Sequence, residues 1–337
     1  MNIWFYLPLV TGASLLATGA LRRYALSRSL IDVPNARSSH TVPTPRGGGV
    51  AIVLCFLAAL PLGWLDGTLS GEAFAAMLGA GALVAVIGFM DDHGHIAARW
   101  RLLGHFSAAI WTLFWLGGLP ALQVFGFTIE LGWLGTLLAA LYLVWMLNLY
   151  NFMDGIDGLA SVEAICATLG MCILYLAVGH AELVWPVLVL GLAVTGFLFW
   201  NFPPARIFMG DAGSGFLGIT LGCLALQAAW VDSQLFWAWL ILLGVFIVDA
   251  TVTLIRRLMT GQKVYEAHRT HAYQYASRRY GRHLTVTLAV LAINVTWLFP
   301  LAWAAAYQKI DGCVALFAAY LPLVVLAIKF GAGKPEK

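Results

Sequence analysis

Charge is scarce in this chain. Of its 337 residues only 10% are Asp, Glu, Lys or Arg, against 61% hydrophobic, and the mean hydropathy is +0.85. A water-soluble surface around so long a chain needs far more charge, so a soluble globular class is excluded and a multi-span membrane protein is expected. Cysteine is sparse as well. Cys55, Cys166, Cys172, Cys223 and Cys313 lie in or beside apolar runs without metal-ligand spacing, and they read as small packing residues. Repeats and low-complexity stretches are absent. The first apolar run has no basic residue before it and no convincing small-residue cleavage site, which argues against a cleaved signal peptide. The loops leave no room for a separate soluble domain, so residues 1–337 read as one integral-membrane domain.

What the chain has in abundance is apolar runs of spanning length, roughly 20 residues each. Eleven are predicted, at 3–21, 47–65, 74–90, 102–120, 132–151, 158–179, 183–201, 213–231, 235–255, 284–306 and 312–330. The expected fold is all-α, a polytopic helical bundle. With the N-terminus outside, 18 of the 19 basic residues fall on inside segments and Lys309 alone falls outside. The positive-inside rule therefore places the C-terminus in the cytoplasm and supports the span count.

The external connections carry single, scattered acids. The internal ones hold every unusual polar stretch: "DVPNARSSHTVPTPRGGG" (32–49), "GFMDDHGH" (88–95), "NLYNFMDGIDGLA" (148–160), "NFPPARIFMGDAGSG" (201–215) and "AHRTHAYQ" (267–274). A lone carboxylate at a span end is ordinarily just solvated there. Asp91, Asp92, Asp154, Asp157 and Asp211 together, with almost no lysine nearby, call for another reason. Carboxylates are hard ligands suited to Mg²⁺, which takes one or two of them plus substrate phosphates. Asn148 and Asn151 share a face at the end of the fifth run, while Asp154 and Asp157 leave that helix and wrap over its end. Asparagine offers both donor and acceptor, which suits a nucleobase, a ribose or an acetamido group. The glycines of "GDAGSGFLG" mark a helix start, which favours anions through its free N–H groups. The competing reading of those glycines is close helix packing in a bilayer. In the last internal loop the cations and histidines anchor the chain on anionic lipid and can also clamp a diphosphate. Glu163 and Asp249, inside spans, have no role assigned by the sequence.

These stretches, from 32 to 275 and in this order, resemble the polyprenyl-phosphate N-acetylhexosamine-1-phosphate transferase superfamily. "NLYNFMDGIDGLA" matches its Asn-x-x-Asn-x-x-Asp-Gly-x-Asp-Gly-Leu signature, and "NFPPARIFMGDAGSGFLG" its second segment. Asp91–Asp92 match its Asp-Asp pair, "TPRGGG" with Arg46 its Thr-Pro-x-x-Gly-Gly loop, and Asp249 an aspartate of its ninth span. One departure is clear: many members carry His-x-His-His in the last loop, where this chain reads His271, Ala272, Tyr273, Gln274. That favours the branch that starts bacterial O-antigen over the lipid I synthase.

The resemblance implies attack of undecaprenyl phosphate on the β-phosphate of a UDP-N-acetylhexosamine, with release of UMP, at the cytoplasmic face of a bacterial inner membrane. It implies Mg²⁺, or Mn²⁺ in its place, held by Asp211 with Asp154 and Asp157. Asn148, Asn151, Asp154, Asp157, Asn201 and Phe208 would line the donor pocket. Asp91 and Asp92 would sit where the lipid phosphate enters, and Arg46, Arg269 and His271 would touch the diphosphate or sugar. No nucleic-acid partner is expected, and a homodimer is compatible with this reading. The main rival is an ion-coupled transporter. Transporter acids lie near the midplane on broken helices, however, and these lie at span ends.

Overall fold

In hydrocarbon each backbone N–H and C=O needs an internal partner, and an α-helix supplies one within a single segment. The apolar runs accordingly become helices in the computed structural model, which describes residues 3–34, 39–94, 96–263 and 268–335. Arg37 and Lys337, two of the inside cations, lie outside the described residues. The chain opens with α1 (Leu7–Ser27), then β1 (Ile31–Asp32) paired antiparallel with β2 (Thr44–Pro45), α2 (Val50–Leu65), α3 (Gly71–His93) and α4 (Ala98–Leu116). A small hairpin of β3 (Leu122–Val124) and β4 (Phe127–Ile129) precedes α5 (Gly132–Met153), α6 (Leu159–Val178), α7 (Val184–Asn201) and α8 (Asp211–Val231). The remainder is α9 (Ser233–Leu242), α10 (Gly244–Met259), the short α11 (Ala272–Tyr280), α12 (His283–Ile293), α13 (Phe299–Ala306) and α14 (Gly312–Lys329). The two strand pairs are ribbons beside an otherwise helical, multi-pass membrane protein.

The eleven predicted spans are reproduced only in part. Seven segments are long and apolar enough to cross a membrane: α3, α5, α6, α7 with its leading turn, α8, α12 continued through α13, and α14; a bent pair, α9 with α10, makes an eighth. α1 and α4 reach 21 and 19 residues but are less apolar, because they carry Arg22 and Arg23, and Arg99, Arg101 and His105. α2 has 16 residues. The predicted single span at 235–255 is broken, with α9 and α10 meeting at 70°. The break falls at Leu243–Gly244, where a Cβ on Gly244 would come within 3.1 Å of Tyr320. Glycine is a weak helix former, and here it admits a neighbour instead. Between α12 and α13 the helix widens into a π turn, Asn294–Leu298, just before Pro300, which has no N–H to donate backwards.

α8 is the central helix. Its spanning stretch is 83% buried, against 28% for α14. Glycines bring three neighbours against its backbone. A Cβ on Gly213 would lie 2.6 Å from Gly49 Cα, one on Gly88 would lie 2.5 Å from the Ala212 nitrogen, and one on Gly218 would lie 2.5 Å from the Met146 carbonyl oxygen. Small residues at crossings are how helices approach closely in a bilayer. So α2, α3 and α5 converge on the start and middle of α8, and their polar ends meet there.

Candidate active site

The first four N–H groups of a helix need partners from outside its own ladder. At α8 the Asp211 and Ala212 N–H groups donate to Asp92 Oδ1 and Oδ2, at 3.1 and 3.2 Å. Those of Gly213 and Ser214 donate to the Gly210 carbonyl, at 3.1 Å each. The helix start expected to favour a ligand's anion is thus closed by an internal one. Asp92 is buried and acts as the cap that joins α3 to α8. Its own carbonyl accepts from the Arg46 guanidinium, which holds the loop before α2 over the same point.

Asp91, one residue earlier, points the other way. It accepts from the Ile96 N–H at 3.0 Å and forms a close ion pair with Arg101 on α4. Arg101 also lies 3.8 Å from Asp211 Oδ2, so one guanidinium bridges the two acids. Asn151, near the end of α5, donates to Asp211 Oδ1 at 3.0 Å and to Ser214 Oγ at 2.9 Å. α5 ends at Met153 and Asp154 occupies its C-cap, as the step-of-three pattern implied. Burial first, then the charges of Asp211, Asp92 and Asp157, push the Asp154 carboxyl well above the usual carboxylate range.

Two cavities share this centre. One, of about 270 Å³, is mainly polar: Asp32, Ser39, His40, Arg46, Asp157, Asn201 and His283, with the Phe208 ring, stand around Asp92, Asn151, Asp154 and Asp211. The other, of about 510 Å³, has Asp91, Arg101, Asn148, His268 and His271 among its polar lining and Val84, Ile87, Leu102, Leu147 and Phe152 as apolar wall. Asn151, Asp154, Gly155, Asp211 and Gln274 line both. Residues from all five polar stretches therefore meet in one place.

Several expected residues that line these cavities are also held by protein groups. Asn201 is buried; its Oδ1 accepts from the Gly158 N–H and its Nδ2 donates to the Ile207 carbonyl, both at 3.0 Å. It builds the wall between α6 and α7. Asp157 accepts from the Ala205 N–H at 3.0 Å and pairs with His283 at 3.0 Å, so it is engaged by protein on both sides. Asn148 donates to its own helix at the Val144 carbonyl, at 2.7 Å. Phe208 meets His40 edge-on, 4.8 Å between ring centres. Arg269 is the clear exception to the expected set: it lines neither cavity and sits instead beside Tyr275, Arg278 and Lys334. Among the described residues no three His, Cys, Asp or Glu side chains converge as a ready-made metal cage.

The sequence pattern of glycosyl transferase family 4 matches residues 74–229. A stretch of 268 residues is 30% identical to a Bacillus subtilis protein named probable undecaprenyl-phosphate N-acetylglucosaminyl 1-phosphate transferase, covering 77% of this chain and 73% of that protein. The chain belongs to glycosyl transferase family 4, within the polyprenyl-phosphate N-acetylhexosamine-1-phosphate transferase superfamily. It is also 29% identical over 311 residues to the decaprenyl-phosphate N-acetylglucosaminephosphotransferase of Mycobacterium tuberculosis, covering 81% of this chain and 75% of that one. A shorter stretch of 157 residues is 40% identical to the phospho-N-acetylmuramoyl-pentapeptide-transferase of Moorella thermoacetica, covering 42% and 49%.

For a member of this family the structure adds roles that the sequence did not assign. Arg101 was counted only as a positive-inside charge, since ten residues and a turn separate it from Asp91. Asp249, left without a role, accepts from the Ala272 and Tyr273 N–H groups at 2.9 Å each and caps α11 from α10. Its Oδ1 lies 3.5 Å from His271 Nδ1, so it also sets that ring. His271 stacks on His268, 4.9 Å between centres. Burial, then His271 and Arg257, hold His268 down to about 3, with Asp249 opposing. The Tyr273 hydroxyl donates to the Phe152 carbonyl at 3.0 Å, and a Cβ on Gly155 would strike that hydroxyl at 2.1 Å. A side chain at position 155 would have to displace that hydroxyl from the Phe152 carbonyl.

Proposed function

We propose that the protein transfers an N-acetylhexosamine 1-phosphate, of the GlcNAc or N-acetyl-fucosamine type, from a UDP-sugar to undecaprenyl phosphate. We assign this step to the start of O-antigen or related surface-polysaccharide synthesis at the cytoplasmic face of a bacterial inner membrane. The observation that carries the reading is the junction of two cavities at Asn151, Asp154 and Asp211. One is lined mainly by polar groups and suits a nucleotide diphosphate. The other joins an apolar wall to Arg101 and suits a lipid that ends in phosphate.

In the transfer an oxygen of the lipid phosphate bonds to the β-phosphorus, the α–β anhydride bond breaks, and UMP leaves with that electron pair. A phosphate monoester has a second pKa of about 6 and is already anionic at neutral pH. Positioning and charge neutralisation therefore matter more than a strong base. Asp91, paired with Arg101, is engaged as a positioning anion rather than free as a nucleophile. Arg101 and Arg46 face the two cavities as cations for the phosphates.

A divalent ion fits the donor set. Asp211 has one oxygen on Asn151 and a side chain 39% exposed, and Asp154 lies among carboxylates whose mutual repulsion a cation relieves. Mg²⁺, or Mn²⁺ in its place, would be held by Asp211 and Asp154, without Asp157, and supplies neutralising charge to the diphosphate.

A second reading, transfer of phospho-MurNAc-pentapeptide, is supported by the 40% identical segment. One assay separates them. Purified protein with undecaprenyl phosphate and Mg²⁺ is offered UDP-GlcNAc, a UDP-N-acetyl-fucosamine-type donor and UDP-MurNAc-pentapeptide, and UMP and lipid product are measured. Turnover of an N-acetylhexosamine donor is expected. Turnover of the pentapeptide donor alone selects the second reading, and UMP release from none of them sinks both.

A further inference from the structure

On the far side of α11 from the two cavities lies another polar pocket. It has about 530 Å³ and is lined by Arg269, Arg278, Lys329 and Lys334 with Tyr275 and Phe330 between them. The pocket is built by specific contacts. After α14 the chain turns back through Gly331 and Gly333, at φ +77° and +73°, values that favour glycine. The Gly333 N–H donates to the Thr270 carbonyl at 2.7 Å, and the Tyr275 hydroxyl to the Lys334 carbonyl at 2.8 Å. Arg278 donates through both terminal nitrogens to the Arg269 carbonyl, at 3.1 Å each, and lies 4.6 Å over the Tyr275 ring. Cations from the loop before α11, from α11 and from the end of α14 are thereby held around one space.

Beside it runs an apolar groove of about 540 Å³ between α10, α12 and α14, walled by residues such as Val248, Val286, Ala289, Val290, Leu323 and Leu326. The groove and the basic pocket share Lys329 and Phe330. A ligand that satisfies both must carry a long apolar chain and an anionic head. We propose that this is a binding site for an anionic phospholipid, its phosphate at Lys329 and Lys334 and an acyl chain along the groove. Basic residues at a membrane edge attract anionic lipid. The bound lipid braces α11 from behind: Tyr275 and Arg278 face it, while His271 and Gln274 of the same segment face the candidate active site.

The test uses the full chain in neutral detergent, with lipid binding followed by native mass spectrometry and thermal unfolding. Dioleoyl phosphatidylglycerol should bind and raise the unfolding temperature, and dioleoyl phosphatidylcholine should not. Lys329→Gln with Lys334→Gln should weaken phosphatidylglycerol binding roughly 25-fold, at roughly fivefold per cation near the membrane surface. Ala289→Trp, which fills the groove from an exposed position, should weaken it too. Equal binding of both lipids, or unchanged binding by either variant, overturns the proposal. So does inorganic phosphate that competes as well as the lipid, which would make this a free-phosphate site. Displacement of phosphatidylglycerol by one equivalent of undecaprenyl phosphate overturns it as well, by giving the groove to the acceptor.

Discussion

Two aspartates that the sequence places differently, Asp92 at a span end and Asp249 inside a span, turn out to do the same physical work. Asp92 and Asp249 each place both carboxylate oxygens on two successive N–H groups, at the starts of α8 and α11. Charge-assisted bonds to a helix start are among the stronger ones available to a carboxylate. Asp154 is the opposite case, a carboxyl with acidic neighbours. Its folded-state pKa is raised, so the native state holds a proton that the unfolded chain has lost. Its contribution to stability is present below the unfolded value of about 3.9 and is lost as pH rises above it. Metal-free Asp154→Asn protein should therefore unfold at a higher temperature than wild type at pH 7.5, with the gap closing toward pH 4. A shift of roughly 2 to 4 °C is expected for each kcal/mol relieved in a large domain. Added Mg²⁺ should stabilise the wild type more than the variant. A variant less stable than wild type at pH 7.5 without metal would contradict the crowding of charge at this position.

At the scale of elements, the site depends on how closely helices cross. The sequence left the glycines of "GDAGSGFLG" divided between anion binding and packing. Packing accounts for Gly213 and Gly218, which touch α2 and α5, while Asp92 occupies the N–H groups that an anionic ligand would have used. Gly88 does the same from α3, and a methyl group there would press on the backbone of Ala212. That crossing sets the distance from Asp91 and Asp92 to Asp211. Gly88→Ala should push α3 away from α8 without removing any polar group. Misplacement by about 1 Å can cost roughly 100-fold in rate, so turnover should fall by about that factor. UDP-sugar binding, measured by calorimetry, should change far less. Turnover within about twofold of wild type, in protein that elutes and melts normally, would show that the crossing has slack.

For the whole molecule, what was legible in the sequence was the set of polar stretches and their convergence, because polar residues in an apolar chain are few and each needs a reason. What was not legible came from contacts across the bundle. Arg101 reaches Asp91 and Asp211 from another helix, Asn201 turns inward to bond Gly158 and Ile207, and Arg269 faces away from the site with Arg278. Composition along one run cannot show any of these. The span count suffered for a related reason: hydropathy adds up Gly244 and its neighbours without registering that Tyr320 packs into the break. The orientation rests on the distribution of cations, and the fold now supplies a direct check. Glu130 lies on an exposed connection beside β4, and Arg282 on an exposed one between α11 and α12. In protein whose five native cysteines are replaced, a cysteine at position 130 should react with a membrane-impermeant maleimide added to intact cells. One at position 282 should react only after the membrane is opened. Since Arg282 adjoins His283, which lines the polar cavity with Asp154 and Asp211, labelling of position 282 from outside would turn the catalytic face outward, away from a cytoplasmic nucleotide donor, and the proposed reaction would fall with the topology.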